Sequence, residues 1–369
     1  MRILVAMSGG VDSSVVAGLL TEQGHEVVGA TLQLYDHGAA TLKKGSCCAG
    51  QDIHDARRVA DRLGISHYVL DREARFRSAV IETFADGYAA GETPIPCIRC
   101  NQTVKFHDLT ALARDLGCAA LATGHYARRI DGAAGPELHM AADPARDQSY
   151  FLCATTRDQL AFSRFPLGGF PDKAAVRAVA ARLGLPVAEK PDSQDICFVP
   201  AGRYHQVVEG FRPDAAEPGE IVHLDGRVLG RHEGIARFTV GQGKGLGGAA
   251  RDGDQPLYVA AIEAGRRCIV VGPRAALPQA AIGVAEVNWL VPPPAEPLRC
   301  QVKLRAREAP QPATIAWDAA AGLLRVAPDT PAIAAPGQAC VLYAGSRVLG
   351  GGFMRAMGAA GVDTRGAAA

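Results

Sequence analysis

The first half of the chain alternates apolar runs with helical patterns. The apolar runs predict strands at residues 2–7, 26–34, 67–71 and 118–123. Between them, apolar positions at helical spacing predict helices at residues 12–23, 52–63, 75–90 and 101–116. This alternation favours a parallel sheet with helices on both faces. Ligands of such sheets bind beyond the carboxyl ends of the strands.

The pattern changes near residue 204, where glycine and proline begin to separate short β-rich runs. These runs lie at 220–224, 227–229, 236–240, 257–262 and 268–271, and then at 285–290, 299–306, 313–317, 323–326, 339–343 and 347–353. Short strands at regular spacing indicate β-barrels, with a seam at Gly272 and Pro273. We predict an α/β domain at 1–203, a central β-rich domain at 204–272, a β-barrel at 273–357 and a disordered tail at 358–369.

Composition narrows the class of protein. The chain has 369 residues, a net charge of +1 and 21% charged residues, so no global field attracts nucleic acid. No apolar run reaches the roughly 18 residues of a membrane helix, and the first strand leaves no room for a signal peptide. Ten cysteines are too few for a secreted disulfide scaffold of this length. We therefore expect a cytoplasmic protein without a membrane partner.

The most informative segment is the glycine turn after the first strand. The run ILVAM leads directly into SGGVDSS and then into the helical pattern VVAGLL. This geometry directs backbone N–H groups and the positive end of a helix dipole at one point, which favours a phosphate. Gly9 and Gly10 permit a tight turn, Ser8, Ser13 and Ser14 add hydroxyl donors, and Asp12 can cap the helix or hold Mg²⁺.

Two common phosphate motifs are absent from this turn. Walker A requires a lysine, and the dinucleotide fingerprint requires GxGxxG. SGGxDS instead resembles the PP-loop of ATP pyrophosphatases, which split ATP between its α and β phosphates. The alternative is a serine-capped helix after a strand.

Two cysteines have neighbours that suggest chemistry. Cys100 lies in TPIPCIRCNQTVKF, where we expect a helix to begin at Asn101 and to lower the thiol pKa together with Arg99 and Lys105. Cys197 lies in KPDSQDICFVP, where nearby aspartates would raise a thiol pKa. The alternative for each is a buried structural cysteine.

Cys97 and Cys100 also form a CxxC pair. Such a pair can be a redox couple, half of a zinc site or part of an iron–sulfur site. No second CxxC completes a four-cysteine zinc ribbon. The sequence leaves these alternatives open.

Seven motifs, in chain order, resemble those of the tRNA-specific 2-thiouridylases. They are SGGVDSSV, PCIRCNQTVKF, LATGHYAR, DQSYFL, DSQDICFVP, GRHEGIARFTVGQGKGLG and GQACVLY. The resemblance implies a Rossmann-like PP-loop domain followed by two small β domains. It also implies that ATP, with Mg²⁺, adenylates the C2 oxygen of the wobble uridine (position 34), and that a cysteine persulfide then supplies sulfur. The products would be 2-thiouridine, AMP and pyrophosphate. The implied partners are tRNA, a cysteine desulfurase or sulfur-relay protein, and a thiol reductant.

The resemblance also assigns site residues. Cys197 would carry the persulfide and Cys100 would be the second catalytic thiol, with no resident metal site. The implied ATP-binding residues are Ala6, Met7, Ser8, Gly9, Gly10, Val11, Asp12, Ser13, Leu32 and Gly124. The implied tRNA-binding residues are His125, Arg146, Asp147, Gln148, Arg305, Ala306 and Gln338.

Three positions depart from the family pattern. Cys97 stands where the family often has aspartate, which removes a possible acid–base group and leaves open which thiol resolves the persulfide. Gly243 stands where arginine is usual, and Ala306 stands where an aromatic residue often lies.

The distribution of basic residues predicts one surface that could bind RNA. Residues 303, 305 and 307 are basic and would project to one face of a strand, forming a stripe suited to an RNA backbone. The alternative is a solvated strand face.

Three other functions compete with tRNA thiolation. A PP-loop amide ligase would need an ammonia or amine site, which the two thiols do not suggest. A non-catalytic RNA-binding module would not need an intact SGGVDS. An iron–sulfur thiolase would use Cys97, Cys100 and Cys197 as cluster ligands.

Overall fold

A computed structural model describes residues 1–35, 48–192, 196–199 and 202–356. The chain divides into two compact units. The first contains residues 1–81, 97–202 and 345–349, and the second contains residues 82–96, 203–344 and the chain from 350. The tail predicted to be disordered, at 358–369, lies outside the described residues.

The first unit is built on the predicted parallel sheet. Its strands are β1 (Arg2–Ala6), β2 (Glu26–Gln33), β3 (Ser66–Asp71), β4 (Ala120–Ala122), β5 (Ala127–Gly132), β6 (Gly135–Met140) and β7 (Ser163–Arg164). Five of them form one sheet in the order β3-β2-β1-β4-β7, and every pair in it is parallel. The fold class predicted for this part is confirmed. The antiparallel β5–β6 hairpin, which the pattern did not predict, follows β4.

Helices cover this sheet and continue into the second unit. They are α1 (Val11–Glu22), α2 (Cys48–Leu63), α3 (Glu73–Phe76), α4 (Thr83–Ala89), α5 (Pro96–Cys100), α6 (Phe106–Asp115), α7 (Arg157–Phe162), α8 (Lys173–Arg182) and α9 (Tyr204–Phe211), with π-helical segments at Arg77–Glu82 and Asn101–Lys105. In the described ranges no helix has the length and apolar character needed to cross a bilayer.

The helix expected to begin at Asn101 begins earlier. Pro96 occupies its first position, where the fixed φ and missing N–H of proline are favourable. Asn101 is therefore inside a helical run and is no cap, and Cys100 is not at a helix start. That part of the prediction was wrong because the sequence signal of Asn101 competed with the stronger signal of Pro96.

The second unit contains two β structures. The first has β8 (Gly219–His223), β9 (Val228–His232), β10 (Arg251–Asp252), β11 (Gln255–Glu263) and β12 (Cys268–Pro273), in the order β10-β11-β12-β8-β9. The second has β13 (Ile282–Trp289), β14 (Leu298–Lys303), β15 (Gln311–Asp318), β16 (Leu323–Pro328), β17 (Ala339–Ala344) and β18 (Arg347–Arg355). Pairing of β13 with β18 closes it into the predicted barrel.

One predicted strand of the second unit does not form. Residues 236–240 lie in and after a 3₁₀ turn at Ile235–Arg237. Ala236, Phe238 and Val240 are buried at alternate positions because the loop covers the apolar side of a sheet, and this burial imitates a strand pattern. The expected seam at Gly272 and Pro273 falls at the end of β12, which finishes at Pro273.

The core of the first unit lies between β1 and α1. Ile3, Val5, Val15 and Val16 belong to one hydrophobic cluster and are each at most 1% exposed. Because this cluster joins the strand before the glycine turn to the helix after it, core packing fixes both ends of that turn.

Substitution of Ile3 by alanine should destabilise the first unit. Loss of a fully buried isoleucine side chain costs about 2–5 kcal/mol, which lowers the midpoint of thermal unfolding by several degrees. Ile130→Ala is the matched control, since Ile130 is 40% exposed and its truncation should change stability by about 0.5 kcal/mol or less. Equal shifts for the two variants, measured by scanning calorimetry, would contradict this assignment of the core.

Candidate nucleotide and thiol site

The glycine turn joins the end of β1 to the start of α1. Gly9 has a φ of +72°, and a Cβ there would overlap the backbone of Asp52, so only glycine fits. Gly10 precedes α1 without a side-chain cap. The first N–H groups of α1 therefore lack acceptors within the helix and are available to an anion.

The serines of the turn have different roles. Ser13 Oγ accepts a hydrogen bond of 3.1 Å from the Ser8 amide. Ser14 Oγ donates to the Gly10 carbonyl at 2.8 Å and Ser14 is fully buried. The expectation that Ser14 offers a donor to phosphate was wrong, because the backbone of its own helix already takes that hydroxyl.

A cavity of about 430 Å³ opens beside this turn, a size typical of small-molecule sites. Its lining consists of Ala6, Met7, Ser8, Asp12, Ser13, Ala30, Leu32, Leu34, Cys97, Lys105, Phe106, Leu109, Leu121, Thr123, Gly124, His125 and Gln148. Among the residues predicted to bind ATP, Gly9, Gly10 and Val11 do not line it. Val11 packs in the hydrophobic core instead.

Gly124 brings a second loop against the start of α1. A Cβ on Gly124 would lie 2.9 Å from the Ser13 amide nitrogen and 3.2 Å from Asp12. Such contacts are too short for a side chain. Glycine therefore allows the loop after β4 to form one wall of the cavity.

The Asp12 carboxylate is held by two side chains that the sequence analysis missed. Lys173 Nζ lies 2.8 Å from both of its oxygens, and the Tyr126 hydroxyl donates to it at 2.7 Å. Burial and the neighbouring Asp12 raise the pKa of Tyr126. No local motif signals these partners, because they come from distant parts of the chain.

Lys173 also links Asp12 to the segment that carries Cys197. Its Nζ lies 2.8 Å from Asp192, which pairs with Arg146 at 2.8 Å as well. Partial burial disfavours the charged form of Asp192, but hydrogen bonds from Lys173 and Arg146 outweigh this effect and lower its pKa. The Asp192 carboxylate is therefore kept in its charged form by Lys173 and Arg146.

Lys190 fixes the same segment to the glycine turn. Its Nζ donates to the Gly9 carbonyl at 3.0 Å, to Asp52 at 2.7 Å and to Asp55 at 2.6 Å. Burial opposes the charged form of Asp55, yet the bond from Lys190 keeps its pKa lowered. The glycine turn and the start of the segment leading to Cys197 thus share one cation.

Three thiols interact electrostatically with Lys105. Cys97 and Cys197 are exposed and Cys100 is buried. The protein atoms packed around them raise the pKa of all three thiols, that of Cys197 to about 12, while the charge of Lys105 lowers each of them. The expected lowering of the Cys100 pKa was therefore wrong, because burial outweighs the nearby cation.

Lys105 contributes the positive charge that complements the three thiols, Cys97, Cys100 and Cys197. Burial favours its neutral form, but its interactions with Cys100, Cys97 and Cys197 raise its pKa. Along the described ranges, no carboxylate lies within salt-bridge distance of its Nζ. Lys105 is thus a cation available to sulfur anions.

The π-helical segment explains how Lys105 reaches Cys100. The Phe106 amide donates to the Asn101 carbonyl five residues back, which is the π-helical pattern. Residues five apart lie on different sides of an α-helix, whereas a wider π turn brings them to the same side. Cys100 and Lys105 have this separation.

A metal site built from side chains is not part of this arrangement. Across the described residues, no group of three or more His, Cys, Asp and Glu side chains has positions suited to a metal ion. Asp12 is the carboxylate in the described lining of the cavity. A cation bound there would therefore be held by Asp12 together with atoms of a bound ligand.

His125 and Gln148, both expected at the tRNA, line the cavity. His125 Nδ1 bonds Thr123 Oγ1 at 2.9 Å, and the imidazole stacks on Phe106. Burial and then Lys105 lower the pKa of His125 to about 3, so this imidazole is neutral. Gln148 Oε1 accepts from the Tyr126 amide at 2.9 Å.

The other residues expected to bind tRNA make contacts within the protein. Asp147 Oδ1 accepts from the Ala141 and Ser149 amides at 3.0 and 3.1 Å. In the second unit, Gln338 Nε2 donates to the Thr93 carbonyl at 2.8 Å. These bonds orient both side chains within the protein.

The predicted cationic stripe was wrong. β14 ends at Lys303, which is only 7% exposed. Arg305 and Ala306 follow in a turn, and Arg305 lies 3.5 Å from Glu308. Alternate residues beyond the end of a strand no longer share a face.

Comparisons with known proteins cover nearly the whole chain. Family models described as tRNA methyl transferase HUP domain, tRNA methyl transferase PRC-barrel domain and aminomethyltransferase beta-barrel domain match residues 1–201, 206–273 and 279–354. A solved 4-thiouridine synthetase–RNA complex with bound ATP is a remote neighbour, with 17% identity, a TM-score of 0.37, and coverage of 58% of this chain and 50% of that chain.

Curated relatives are much more similar. The tRNA-specific 2-thiouridylase MnmA of Acidiphilium cryptum is 68% identical over 354 residues, covering 96% of this chain and 100% of the relative. The protein of the same name from Gluconobacter oxydans is 60% identical over 360 residues, covering 96% and 99%. On these matches, the chain belongs to the tRNA-specific 2-thiouridylase family.

Proposed function

We propose that this protein replaces the C2 oxygen of the wobble uridine of tRNA with sulfur, in a reaction driven by ATP. The observation that carries the proposal is that Cys97 and Lys105 line the cavity beside the glycine turn, while Lys105 also interacts with Cys100 and Cys197. A nucleotide site and a thiol cluster thus meet at one cation. The names of the relatives support the same substrate and reaction.

The cavity has the features that ATP requires. The start of α1 offers N–H groups to phosphates, and Ala30, Leu32 and Leu34 form an apolar wall suited to adenine. Asp12 is the residue that would hold Mg²⁺ together with the phosphates, since Mg²⁺ commonly takes one or two protein carboxylates. Mg²⁺ would neutralise phosphate charge, and Lys173 orients the Asp12 carboxylate through contacts with both of its oxygens.

The proposed reaction divides the work between ATP and sulfur. The uridine C2 oxygen attacks the α phosphorus of ATP and pyrophosphate leaves, which converts a poor leaving group into AMP. The outer sulfur of a persulfide on Cys197 attacks C2 and AMP leaves. A second thiolate then attacks Sγ of Cys197, the S–S bond breaks, and 2-thiouridine departs as a protein disulfide forms. A dithiol reductant restores the two thiols.

The substrate must enter as a single base. The C2 position of a stacked base is inaccessible, so the uridine has to be displaced from the anticodon stack. His125 and Gln148 are the proposed tRNA contacts at the cavity, with Arg146, Asp147, Arg305, Ala306 and Gln338 proposed farther along the RNA. A cysteine desulfurase or sulfur-relay protein would load Cys197.

Mass spectrometry of nucleosides tests the reaction. Unmodified tRNA is incubated with the protein, ATP, Mg²⁺, a persulfide donor and a dithiol. We expect 2-thiouridine and equivalent AMP, both dependent on ATP. A methylated nucleoside, or AMP release without tRNA thiolation, would overturn the proposal in favour of a methyltransferase or a ligase.

Substitution of Cys197 by serine should abolish thiolation because the sulfur carrier is lost. Binding of tRNA, measured by filter retention, should remain within about twofold of the original. Cys300→Ser is the matched control, since Cys300 is a partly exposed thiol in the second unit. Sulfur transfer by the Cys197 variant, or loss of its tRNA affinity, would count against the carrier role.

Asp12→Asn should slow pyrophosphate release by about 100-fold or more, since the carboxylate that would hold Mg²⁺ in the cavity is lost. Persulfide loading of Cys197, detected by intact-protein mass spectrometry, should continue. Asp172→Asn is the control, because asparagine caps α8 as well as aspartate does. Simultaneous loss of loading would show that the two half-reactions are not separable.

Lys105→Met should shift the pH at which the reaction rate rises to a higher value. The pKa values of the Cys100 and Cys197 thiols are already raised by the protein atoms packed around them, and removal of the cation raises them further, so less thiolate is present at neutral pH. Iodoacetamide should label the site about tenfold more slowly at pH 7, and Lys105→Arg should restore the rate. Arg114→Gln removes an exposed cation on α6 and should have no effect. An unchanged pH profile in Lys105→Met would refute the role of this lysine.

A further inference from the structure

The two thiols of the CxxC pair occupy different surroundings. Cys97 is exposed and lines the cavity that the proposed function assigns to nucleotide and uridine. Cys100 is 5% exposed and is not part of the cavity lining. A group that reacts with a substrate in the cavity must reach it, and Cys97 meets this requirement better than Cys100.

Both thiols interact electrostatically with Cys197, which lies in the same compact unit, and Lys105 interacts with all three. The cluster therefore contains three sulfurs and one cation. A mechanism with one carrier and one resolving thiol leaves the third sulfur without a role.

The spacing of Cys97 and Cys100 favours a disulfide between them. Both lie on α5, and residues three apart on a helix are neighbours on one face. The CxxC pairs of disulfide oxidoreductases use this spacing. In those pairs the exposed thiol attacks and the buried thiol resolves, which corresponds to the exposure of Cys97 and Cys100.

We propose, on the basis of the function proposed above, that Cys97 is the thiol that attacks the sulfur-bearing Cys197, and that Cys100 then displaces Cys197 by closing a Cys97–Cys100 disulfide.

The proposed steps balance in atoms and electrons. Cys97, as thiolate, attacks Sγ of Cys197, the bond to the outer sulfur breaks, and that sulfur leaves with the uridine. Cys100, as thiolate, attacks Sγ of Cys97 and releases Cys197 as a thiolate. Cys97 and Cys100 lose two protons in these steps, and the departing 2-thiouridine and the released Cys197 take up one proton each. A dithiol reductant later supplies two electrons and two protons to the Cys97–Cys100 disulfide.

This sequence of steps frees the carrier early. Cys197 regains its thiol before the reductant acts, so it can accept the next sulfur while the CxxC pair is still oxidised. Lys105 supports each step because each attacking or departing sulfur is an anion beside it.

A single turnover without reductant tests the proposal. Persulfide-loaded protein is mixed with ATP, Mg²⁺ and tRNA, quenched in acid, and alkylated, and its disulfides are mapped by peptide mass spectrometry. The unmodified protein should contain a Cys97–Cys100 disulfide and an alkylated Cys197. Cys100→Ser should trap a Cys97–Cys197 disulfide, and Cys97→Ser should release 2-thiouridine at least tenfold more slowly. Cys300→Ser should behave as the unmodified protein.

The outcomes separate this inference from the proposed function. Formation of 2-thiouridine with a Cys100–Cys197 disulfide and an alkylated Cys97 would overturn the role of Cys97 and leave tRNA thiolation intact. Absence of 2-thiouridine from the unmodified protein would overturn the proposed function itself. Disulfide mapping of the unmodified protein needs no variant, so a folding defect in Cys97→Ser does not obscure the result.

Discussion

The site depends on lysine side chains that hold carboxylates and backbone carbonyls from separate segments. Lys190 joins the Gly9 carbonyl to Asp52 and Asp55, and Lys173 joins Asp12 to Asp192. A partly buried carboxylate without a cation would cost several kcal/mol or take up a proton. This cost is largest for Asp55 and Asp192, which are the least exposed of the four carboxylates. Because each lysine pairs with two carboxylates at once, the glycine turn and the segment leading to Cys197 keep a common geometry.

The thiol cluster follows a different electrostatic rule. The protein atoms packed around Cys97, Cys100 and Cys197 disfavour thiolate even where the residue is partly open to solvent, and one cation partly offsets that effect. The balance leaves the resting thiols protonated and therefore less exposed to oxidation. A persulfide is more acidic than a thiol, so the same surroundings favour ionisation once sulfur has been loaded.

Local sequence patterns predicted the elements but not their long-range partners. The parallel sheet, the glycine turn and the closed barrel follow from periodicity and from turn residues, which act over a few positions. Tyr126, Lys173 and Lys190 were missed because ion pairs between distant segments leave no periodic signal. The expected pKa of Cys100 failed for a related reason, since burial depends on the whole packed unit.

Errors at element ends also had a large effect on the predicted site. A start at Asn101 would have put Cys100 at a helix terminus, whereas the start at Pro96 puts it inside the run. The predicted stripe at 303, 305 and 307 required β14 to continue, but it ends at Lys303. Side-chain direction changes with every residue, so an error of a few residues is enough to redirect a candidate group.

The π-helical segment Asn101–Lys105 makes the thiol cluster depend on how the chain winds as well as on which side chains it carries. If the same residues wound as a regular α-helix, Lys105 would lie roughly 140° around the helix axis from Cys100, on the other side of the helix. Substitutions that favour regular α-helical winding in this stretch would therefore harm the site even where every thiol and every charge is kept.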